Sequence, residues 1–104
     1  MEPEKVNLQE RFGRFDDLWS PKIVATVNDY DLKLAKVQGA FVWHQHHDTD
    51  ELFLVTTGRL RIQLEGQADV VLAPGELLVV PRGLWHRPSP GWRPSCSYWN
   101  HAAR

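Results

Sequence analysis

The stretch ELFLVTTGRLRIQLEGQADVVLAPGELLVV, residues 51–80, decides the fold class. It contains short runs rich in Val, Leu and Ile. The runs end at turn-forming residues such as Gly58, residues 66–69 (GQAD) and residues 73–76 (APGE). Short apolar runs between Gly, Pro and Asp are typical of β-strands. The stretch therefore predicts a succession of short strands joined by tight turns.

The side-chain pattern of these runs predicts which faces are buried. In the run RLRIQLE apolar and polar residues alternate, so Leu60, Ile62 and Leu64 share one face of a strand. The runs LFLV (52–55) and LLVV (77–80) are apolar on both faces. We therefore expect both sides of those two strands to be covered.

The same pattern continues on both sides of this stretch. The flanking apolar runs are IVATV (23–27), LKLAKV (32–37), AFVWHQH (40–46) and LWHRP (84–88). Beyond residue 88 the pattern weakens, and a short strand is possible around Cys96, Tyr98 and Asn100. So many short strands predict an all-β fold, either a sandwich or a barrel.

The beginning of the chain has a different pattern. Asn7 can cap a helical turn in which Leu8, Phe12 and Phe15 recur at spacings of three and four. Pro21 ends this segment, since proline and the residue before it disfavour helix. We predict a partly helical lead-in at residues 1–20 and one β-domain at residues 21–104.

The composition predicts a soluble domain without a surface for polyanions. The chain has 104 residues, a mass of 12.0 kDa and a formal net charge of -1. That balance does not favour binding to nucleic acid or to an anionic membrane. Cys96 is the single cysteine, so an internal disulfide is excluded, and no signal peptide or membrane-spanning run is apparent. We therefore expect a cytoplasmic protein.

A cluster of histidines and acids is the most informative polar feature. Three of the five histidines and three acids fall between residues 43 and 53. If residues 40–46 form a strand, His44 and His46 lie on one face, and Glu51 at the start of the next strand can fold back beside them. Unpaired polar groups facing a core cost about 1–3 kcal/mol each, and a metal ion removes that cost. Two imidazoles and a carboxylate suit Fe, Mn, Ni, Co or Zn.

A fourth ligand is predicted from a neighbouring strand. The turn Pro81-Arg82-Gly83 delivers His86 to the head of a strand, where Trp85 and Arg87 point the opposite way. The other histidines and acids of the region are interpreted as a solvated turn and tail: His47, Asp48, Asp50 and His101.

The face opposite the histidines predicts a partner. Phe41 and Trp43 should point away from His44 and His46, and a small barrel has little with which to cover them. Trp19 and Phe15 of the lead-in could cover them from the same chain or from a second one. We predict a homodimer, with packing inside one chain as the alternative.

The spacing of these residues resembles that of a known family. The first motif of the cupin superfamily is Gly, several residues, His-x-His, three or four residues, Glu, six residues and Gly. Residues 39–58 are similar to it, with the following residues at those positions: Gly39, His44, His46, Glu51 and Gly58. The distance from Gly39 to His44 is one residue shorter than in the family, which leaves the ligand positions unchanged.

The second cupin motif is Gly, five residues, Pro-x-Gly, two residues, His, three residues and Asn. Residues 75–90 are similar to it, with Gly75, Pro81, Gly83 and His86 in place. Pro90 stands where the family has Asn, a position that is not a ligand. With both motifs present, the chain resembles a small single-domain cupin.

This resemblance implies an antiparallel jelly-roll β-barrel with one divalent transition metal ion inside. The ligands implied by the motifs are His44, His46, Glu51 and His86. Four protein ligands on an octahedral ion leave about two positions for water, substrate or dioxygen. Cupins resembling this chain commonly dimerise.

The walls of the predicted cavity suggest its ligand. Strand parity would line it with apolar side chains: Val42, Phe53, Val55, Leu60, Ile62 and Leu64. We therefore expect a metal-dependent enzyme for a small, fairly apolar molecule, dioxygenase-like or a metal-assisted isomerase or hydrolase. Glu51 is the candidate acid or base if it loosens from the metal. The alternative is a module that binds a small molecule or metal without turnover, because a fold does not decide function.

Overall fold

The computed structural model describes residues 2–39, 41–89 and 96–103, the last of these as backbone. The described residues form one short helix and eight strands. Their bounds are α1 Leu8–Phe12, β1 Lys22–Val27, β2 Tyr30–Val37, β3 Glu51–Thr57, β4 Leu60–Leu64, β5 Val70–Leu72, β6 Leu77–Val80, β7 His86–Ser89 and β8 Cys96–Ala103. No described helix is long and apolar enough to cross a lipid bilayer.

The strands form two antiparallel sheets. The larger sheet has five strands in the order β1-β2-β8-β3-β6, and the smaller has three in the order β5-β4-β7. Neighbouring strands are often far apart in sequence, as β3 and β8 are, which is the arrangement of a jelly roll. The predicted all-β, antiparallel jelly-roll fold is confirmed.

The core forms from the inner faces of both sheets. Leu60, Ile62 and Leu64 of β4 are all buried, as the alternation in RLRIQLE predicts. Phe53 and Val55 of β3 are buried at 1% and 0% exposure. Other buried members of the same cluster are Ala35, Val37, Leu72 and Val80.

The lead-in contains a shorter helix than the apolar spacing suggests. The Asn7 side chain accepts a hydrogen bond from the Glu10 N–H at 3.0 Å, so the predicted N-cap is confirmed. The helix ends at Phe12, and the Gly13 N–H bonds to carbonyls of the last turn. Phe15 lies outside the helix, with its ring 6.0 Å from that of Phe12.

After the helix, the lead-in lies against β2. The Trp19 N–H donates to the Lys36 carbonyl at 2.9 Å, and its indole N–H donates to the Gln38 carbonyl at 3.1 Å. The Lys36 ammonium in turn donates to the Phe15 carbonyl and lies 4.9 Å from the centre of the Phe15 ring. These contacts hold Trp19 beside the stretch that follows β2.

The prediction of a strand at residues 40–46 is wrong. In the described part of this stretch, His44 forms an isolated bridge with His86 and the remaining residues have no regular strand structure. The register of the His44–His86 bridge would place Val42 opposite Pro88. Instead, the Phe41 N–H bonds to the Pro88 carbonyl at 3.0 Å. One extra residue therefore separates the two contacts, and Pro88 has no N–H with which to repair the ladder.

Strand β6 also differs from its prediction. Leu77 and Val79 are 57% and 50% exposed, although LLVV suggested cover on both faces. Strand β6 is at one end of the larger sheet, and the described residues leave about half of Leu77 and Val79 uncovered.

The tail forms a longer strand than its composition suggests. Strand β8 pairs with β2 over eight residue pairs, from Tyr30–Ala103 to Val37–Cys96, and with β3 on its other side. Because neighbours on both sides satisfy its backbone groups, pairing rather than intrinsic propensity places this segment in a strand.

Candidate metal centre

Three structural elements bring the predicted ligands together. Glu51 is the first residue of β3 and His86 is the first residue of β7. His44 is held opposite His86 by two backbone hydrogen bonds of 2.9 Å, one in each direction. His46 is fixed through its carbonyl, which accepts from the Gly83 N–H at 2.8 Å. Gly83 has a φ of +83°, which explains the glycine in the Pro-Arg-Gly turn.

The four side chains converge on one point. One candidate ligand atom from each of His44, His46, Glu51 and His86 lies within 4.8 Å of the other three. The Glu51 Oε1 atom is 2.9 Å from the His86 Nε2 atom, 3.3 Å from His46 Nε2 and 3.6 Å from His44 Nε2. The predicted quartet is therefore a single cluster.

Backbone carbonyls orient two of the imidazole rings. The His44 Nδ1 atom is 3.0 Å from the Val42 carbonyl, and the His86 Nδ1 atom is 2.8 Å from the Leu84 carbonyl. When Nδ1–H donates to these carbonyls, the neutral ring presents its Nε2 lone pair to the centre of the cluster. In both cases the acceptor belongs to the residue two positions earlier. These acceptors were not predicted from the sequence, although the shared spacing could have suggested them.

The cluster is closed on one side and open on the other. The exposed fraction of the side chain rises from 1% for His86 to 15% for Glu51, 23% for His44 and 45% for His46. The Phe53 ring lies nearly perpendicular to the His86 ring on the buried side, with 6.0 Å between ring centroids. A small molecule would therefore reach the cluster from the His46 side.

The close approach of these groups shifts two pKa values. Burial by itself raises the pKa of Glu51, but the imidazoles of His44 and His86 and the charge of His46 outweigh burial and lower that pKa to about 2. The Glu51 carboxylate raises the pKa of His44 above 6.5, against the smaller opposing effect of burial. Without a metal, the Glu51 carboxylate is thus ionised and favours the protonated form of His44.

The turn between the ligands is solvated, as predicted. His47 and Asp48 are exposed and lie outside the cluster. Asp50 accepts from the Arg82 N–H at 2.9 Å and lies 3.3 Å from its Nε atom, and these contacts lower the pKa of Asp50. This pair ties the turn to the Pro-Arg-Gly loop. The side chain of His101, also predicted to be solvated, lies outside the described residues.

The apolar residues predicted as cavity walls have different positions. Five of them are buried in the core: Phe53, Val55, Leu60, Ile62 and Leu64. Val42 is 65% exposed, so its predicted place on the inner face is wrong. Side-chain parity does not extend to Val42 because residues 41–43 form no strand.

Aromatic contacts support His44 from outside the cluster. The rings of Trp19 and Phe41 are stacked, with centroids 4.9 Å apart, and Phe41 meets the His44 ring edge-on at 5.5 Å. Packing of Phe41 inside one chain, the alternative left open above, is therefore observed. Trp43 lies beside Arg87, whose guanidinium carbon is 5.1 Å from the ring centroid.

The residues present fit a divalent transition metal. Three imidazoles and one carboxylate provide nitrogen and oxygen donors of the type that such ions prefer. Two of the rings are already oriented with Nε2 towards the shared point, and the carboxylate is ionised. The cluster could bind a metal ion without large rearrangement of His44, Glu51 or His86.

The fold and the site together define the class of protein. It is a jelly-roll domain with a His-His-Glu-His group that could hold a metal ion. Comparison with known families agrees with this, because residues 32–90 match the family model described as "Cupin domain". The match spans more than half of the 104 residues, and the chain belongs to the cupin family.

Several known proteins are similar to this chain. A cupin-2 domain containing protein from Shewanella frigidimarina NCIMB 400 is 40% identical, with a TM-score of 0.89 over 95% of this chain and 94% of the other. The uncharacterized protein YdbB of Bacillus subtilis (strain 168) is 39% identical over 64 residues, which cover 62% of this chain and 57% of that protein. The match thus spans little more than half of YdbB.

A more distant structure shares the fold. Hydroquinone 1,2-dioxygenase from Sphingomonas sp. TTNP3, solved with 4-hydroxybenzoate bound, superposes with a TM-score of 0.84 at 18% identity. The superposition covers 98% of this chain and 32% of the dioxygenase chain. At this identity the similarity concerns the fold.

Proposed function

We propose that this cupin is a metal-dependent enzyme acting on a small, fairly apolar molecule. The observation that carries the proposal is the convergence of His44, His46, Glu51 and His86 at the open edge of an apolar core. We propose a dioxygenase-like activity first, with metal-assisted isomerisation or hydrolysis as the other reactions of the same site.

The chain's own residues have separate tasks in this proposal. His44, His46, His86 and Glu51 would hold one Fe, Mn, Ni, Co or Zn ion, which when bound supplies Lewis acidity or, for iron, dioxygen chemistry. The Val42 and Leu84 carbonyls keep the His44 and His86 rings in place. Phe53 and the core behind it exclude water from the closed side, which strengthens electrostatic interactions there. Glu51 would hold or move a proton if it loosens from the ion.

The substrate class follows from this distribution of polarity. The core behind the cluster is apolar, which supports a substrate with an apolar body. A polar oxygen on that body would face the ligand cluster. The distant structural neighbour named as a hydroquinone dioxygenase supplies dihydroxybenzenes as the first compounds to test.

The experiment is oxygen consumption by protein reconstituted with Fe²⁺ under anaerobic conditions. We expect oxygen uptake with at least one member of a panel of enols, catechols, hydroquinones and diketones. His86→Ala should remove that uptake at equal protein and added iron, and His47→Ala, a substitution outside the cluster, should retain it. Uptake equal in wild type and His86→Ala would contradict enzymatic use of this site.

A binding module is the alternative function. It is favoured by the composition of the cluster: within the described residues, all four members are candidate ligands, so no separate acid–base side chain remains among them. Such a protein would bind a panel compound in calorimetry without consuming oxygen or changing the compound. Product formation followed by mass spectrometry distinguishes the two functions.

We also propose that the protein is a cytoplasmic homodimer. The single cysteine agrees with a reducing compartment. The edge strand β6 supports association through that edge, because its residues Leu77 and Val79 are 57% and 50% exposed.

Solution scattering checks the oligomeric state. We expect the mass of two chains for the wild type and of one chain for the double substitution Leu77→Glu and Val79→Glu, because two buried charges oppose association. Val71→Glu alters an exposed side chain on β5, an edge strand of the smaller sheet, and should leave the dimer intact. A monomeric wild-type mass would contradict the dimer.

A further inference from the structure

A groove outside the metal cluster combines two indoles with a carboxylate. It is lined by Trp43, Glu65 and Trp85 and has a volume of about 300 Å³. The two tryptophans are 42% and 43% exposed. Trp43 and Trp85 each precede a member of the metal cluster, His44 and His86, but belong to no part of it. The function proposed above leaves this groove without a role.

Neighbouring residues hold Trp85 in place. With its amide oriented to satisfy its surroundings, Gln45 donates to the Gly83 carbonyl at 2.8 Å and accepts from the Trp85 indole N–H at 3.3 Å. The Trp85 carbonyl also accepts from the Glu65 N–H at 3.0 Å, which fixes those two residues side by side. The groove is thus formed before any ligand arrives, which reduces the entropy lost on binding.

Trp43 already has a cation beside its ring. The Arg87 guanidinium carbon lies 5.1 Å from the Trp43 ring centroid, and Gln63 accepts a hydrogen bond from Arg87 Nε. Arg87 does not itself line the groove. The groove walls therefore remain available to a second cation.

The charged residue that lines the groove is Glu65, a carboxylate. No described basic side chain forms an ion pair with Glu65, and no other charged residue among those described lines the groove. Indole faces carry negative electrostatic potential, and the Glu65 carboxylate adds a full negative charge beside them. A cation satisfies both features, whereas an anion would be repelled.

We propose that this groove binds a small organic cation with an alkylammonium head, of the quaternary ammonium type. Its methyl groups would contact the Trp43 and Trp85 rings, and its charge would face Glu65. Aromatic residues around a cation are an established means of recognising such groups. The volume of about 300 Å³ is at the small end of ligand pockets and matches a ligand of this size.

Calorimetry with choline tests the proposal. The matched neutral probe is 3,3-dimethylbutan-1-ol, in which carbon replaces the nitrogen and the shape is retained. We expect choline to bind at least about tenfold more tightly than the alcohol, since cation–π attraction of about 1.4 kcal/mol corresponds to that factor. Tetramethylammonium should compete with choline.

Substitutions locate the binding in the groove. Trp85→Ala should weaken choline binding at least tenfold, and Trp85→Phe should retain part of it if the fold is intact. Glu65→Gln should weaken binding severalfold and reduce its dependence on salt. Glu2→Gln removes an exposed acid that does not line the groove and should have no effect.

Three results would overturn the proposal. One is equal affinity for choline and its neutral analogue, which would indicate a merely apolar groove. Another is choline binding that survives Trp85→Ala and Glu65→Gln together. The third is absence of choline binding combined with conversion of a dimer to a monomer by Trp85→Ala, which would assign the groove to a second copy of the chain.

Discussion

His86→Ala is expected to weaken metal binding at least as much as His44→Ala. His86 is 1% exposed, its ring is fixed by the Leu84 carbonyl at 2.8 Å, and its Nε2 atom is the imidazole nitrogen nearest the Glu51 carboxylate. His44 is held in a similar way but its side chain is 23% exposed, so water can replace it more readily. Loss of a group that hydrogen-bonds to a metal ligand typically weakens metal binding about 10–100-fold, and loss of the ligand His86 should weaken it by more than about 100-fold.

The measurement is metal content after equilibration with limiting Zn²⁺ or Fe²⁺, together with titration against a competing chelator. His47→Ala is the matched control, because His47 is a neighbouring exposed histidine outside the cluster. Circular dichroism of each variant verifies the fold. If His86→Ala retains wild-type metal affinity while His44→Ala loses it, the two halves of the chain do not share one ion.

The metal-free protein should lose stability in acid through Glu51. The pKa of Glu51 is lowered from 4.5 to about 2 in the folded protein, which corresponds to roughly 3 kcal/mol of unfolding free energy. Because the folded pKa is depressed, this contribution is present above about pH 4.5 and is lost as the pH falls towards 2. The Glu51 side chain is 15% exposed, so solvent screens the effect only partly.

Urea unfolding of chelator-treated protein between pH 2.5 and 6 measures this effect. Glu51→Gln removes the charge at nearly constant shape. The unfolding free energy of this variant should therefore change less over this pH range than that of the wild type, by up to roughly 3 kcal/mol. Asp29→Asn, at an exposed turn position, should keep the wild-type slope. Parallel pH profiles for the wild type and Glu51→Gln would show that the carboxylate is not held by the imidazoles.

His44 should have the opposite dependence. Its folded pKa is raised, so its contribution to metal-free stability is present below about pH 6.5 and is lost as the pH rises through the folded value. A metal ion and a proton compete for the same Nε2 atom. Metal affinity should therefore increase over the pH range in which metal-free stability falls.

The fold could be predicted from sequence where the pattern is local. The alternation in β4 follows from the two-residue period of a strand, and its three apolar residues are buried as expected. The outer face of β6 could not be assigned in this way. An apolar run has the same appearance at the centre and at the edge of a sheet, and the position of β6 depends on the order of distant strands.

The metal cluster could be predicted because its spacing is a family motif, although the supporting geometry was different. His44 and His46 were expected to share a face of a regular strand, and that strand does not form. They converge because His44 pairs with His86 and the His46 carbonyl holds Gly83. Such contacts join residues about forty positions apart in the chain, and a local pattern does not contain them.

X-ray absorption spectroscopy of the metal-loaded protein tests the central claim most directly. The account predicts one ion per chain, with multiple-scattering features of three imidazoles and a further oxygen ligand. In each of the variants His44→Ala, His46→Ala and His86→Ala, the spectrum of the metal that remains bound should show one imidazole fewer than that of the wild type. A spectrum with one imidazole or none in the wild type, or unchanged by His86→Ala, would contradict a shared site formed by both motifs.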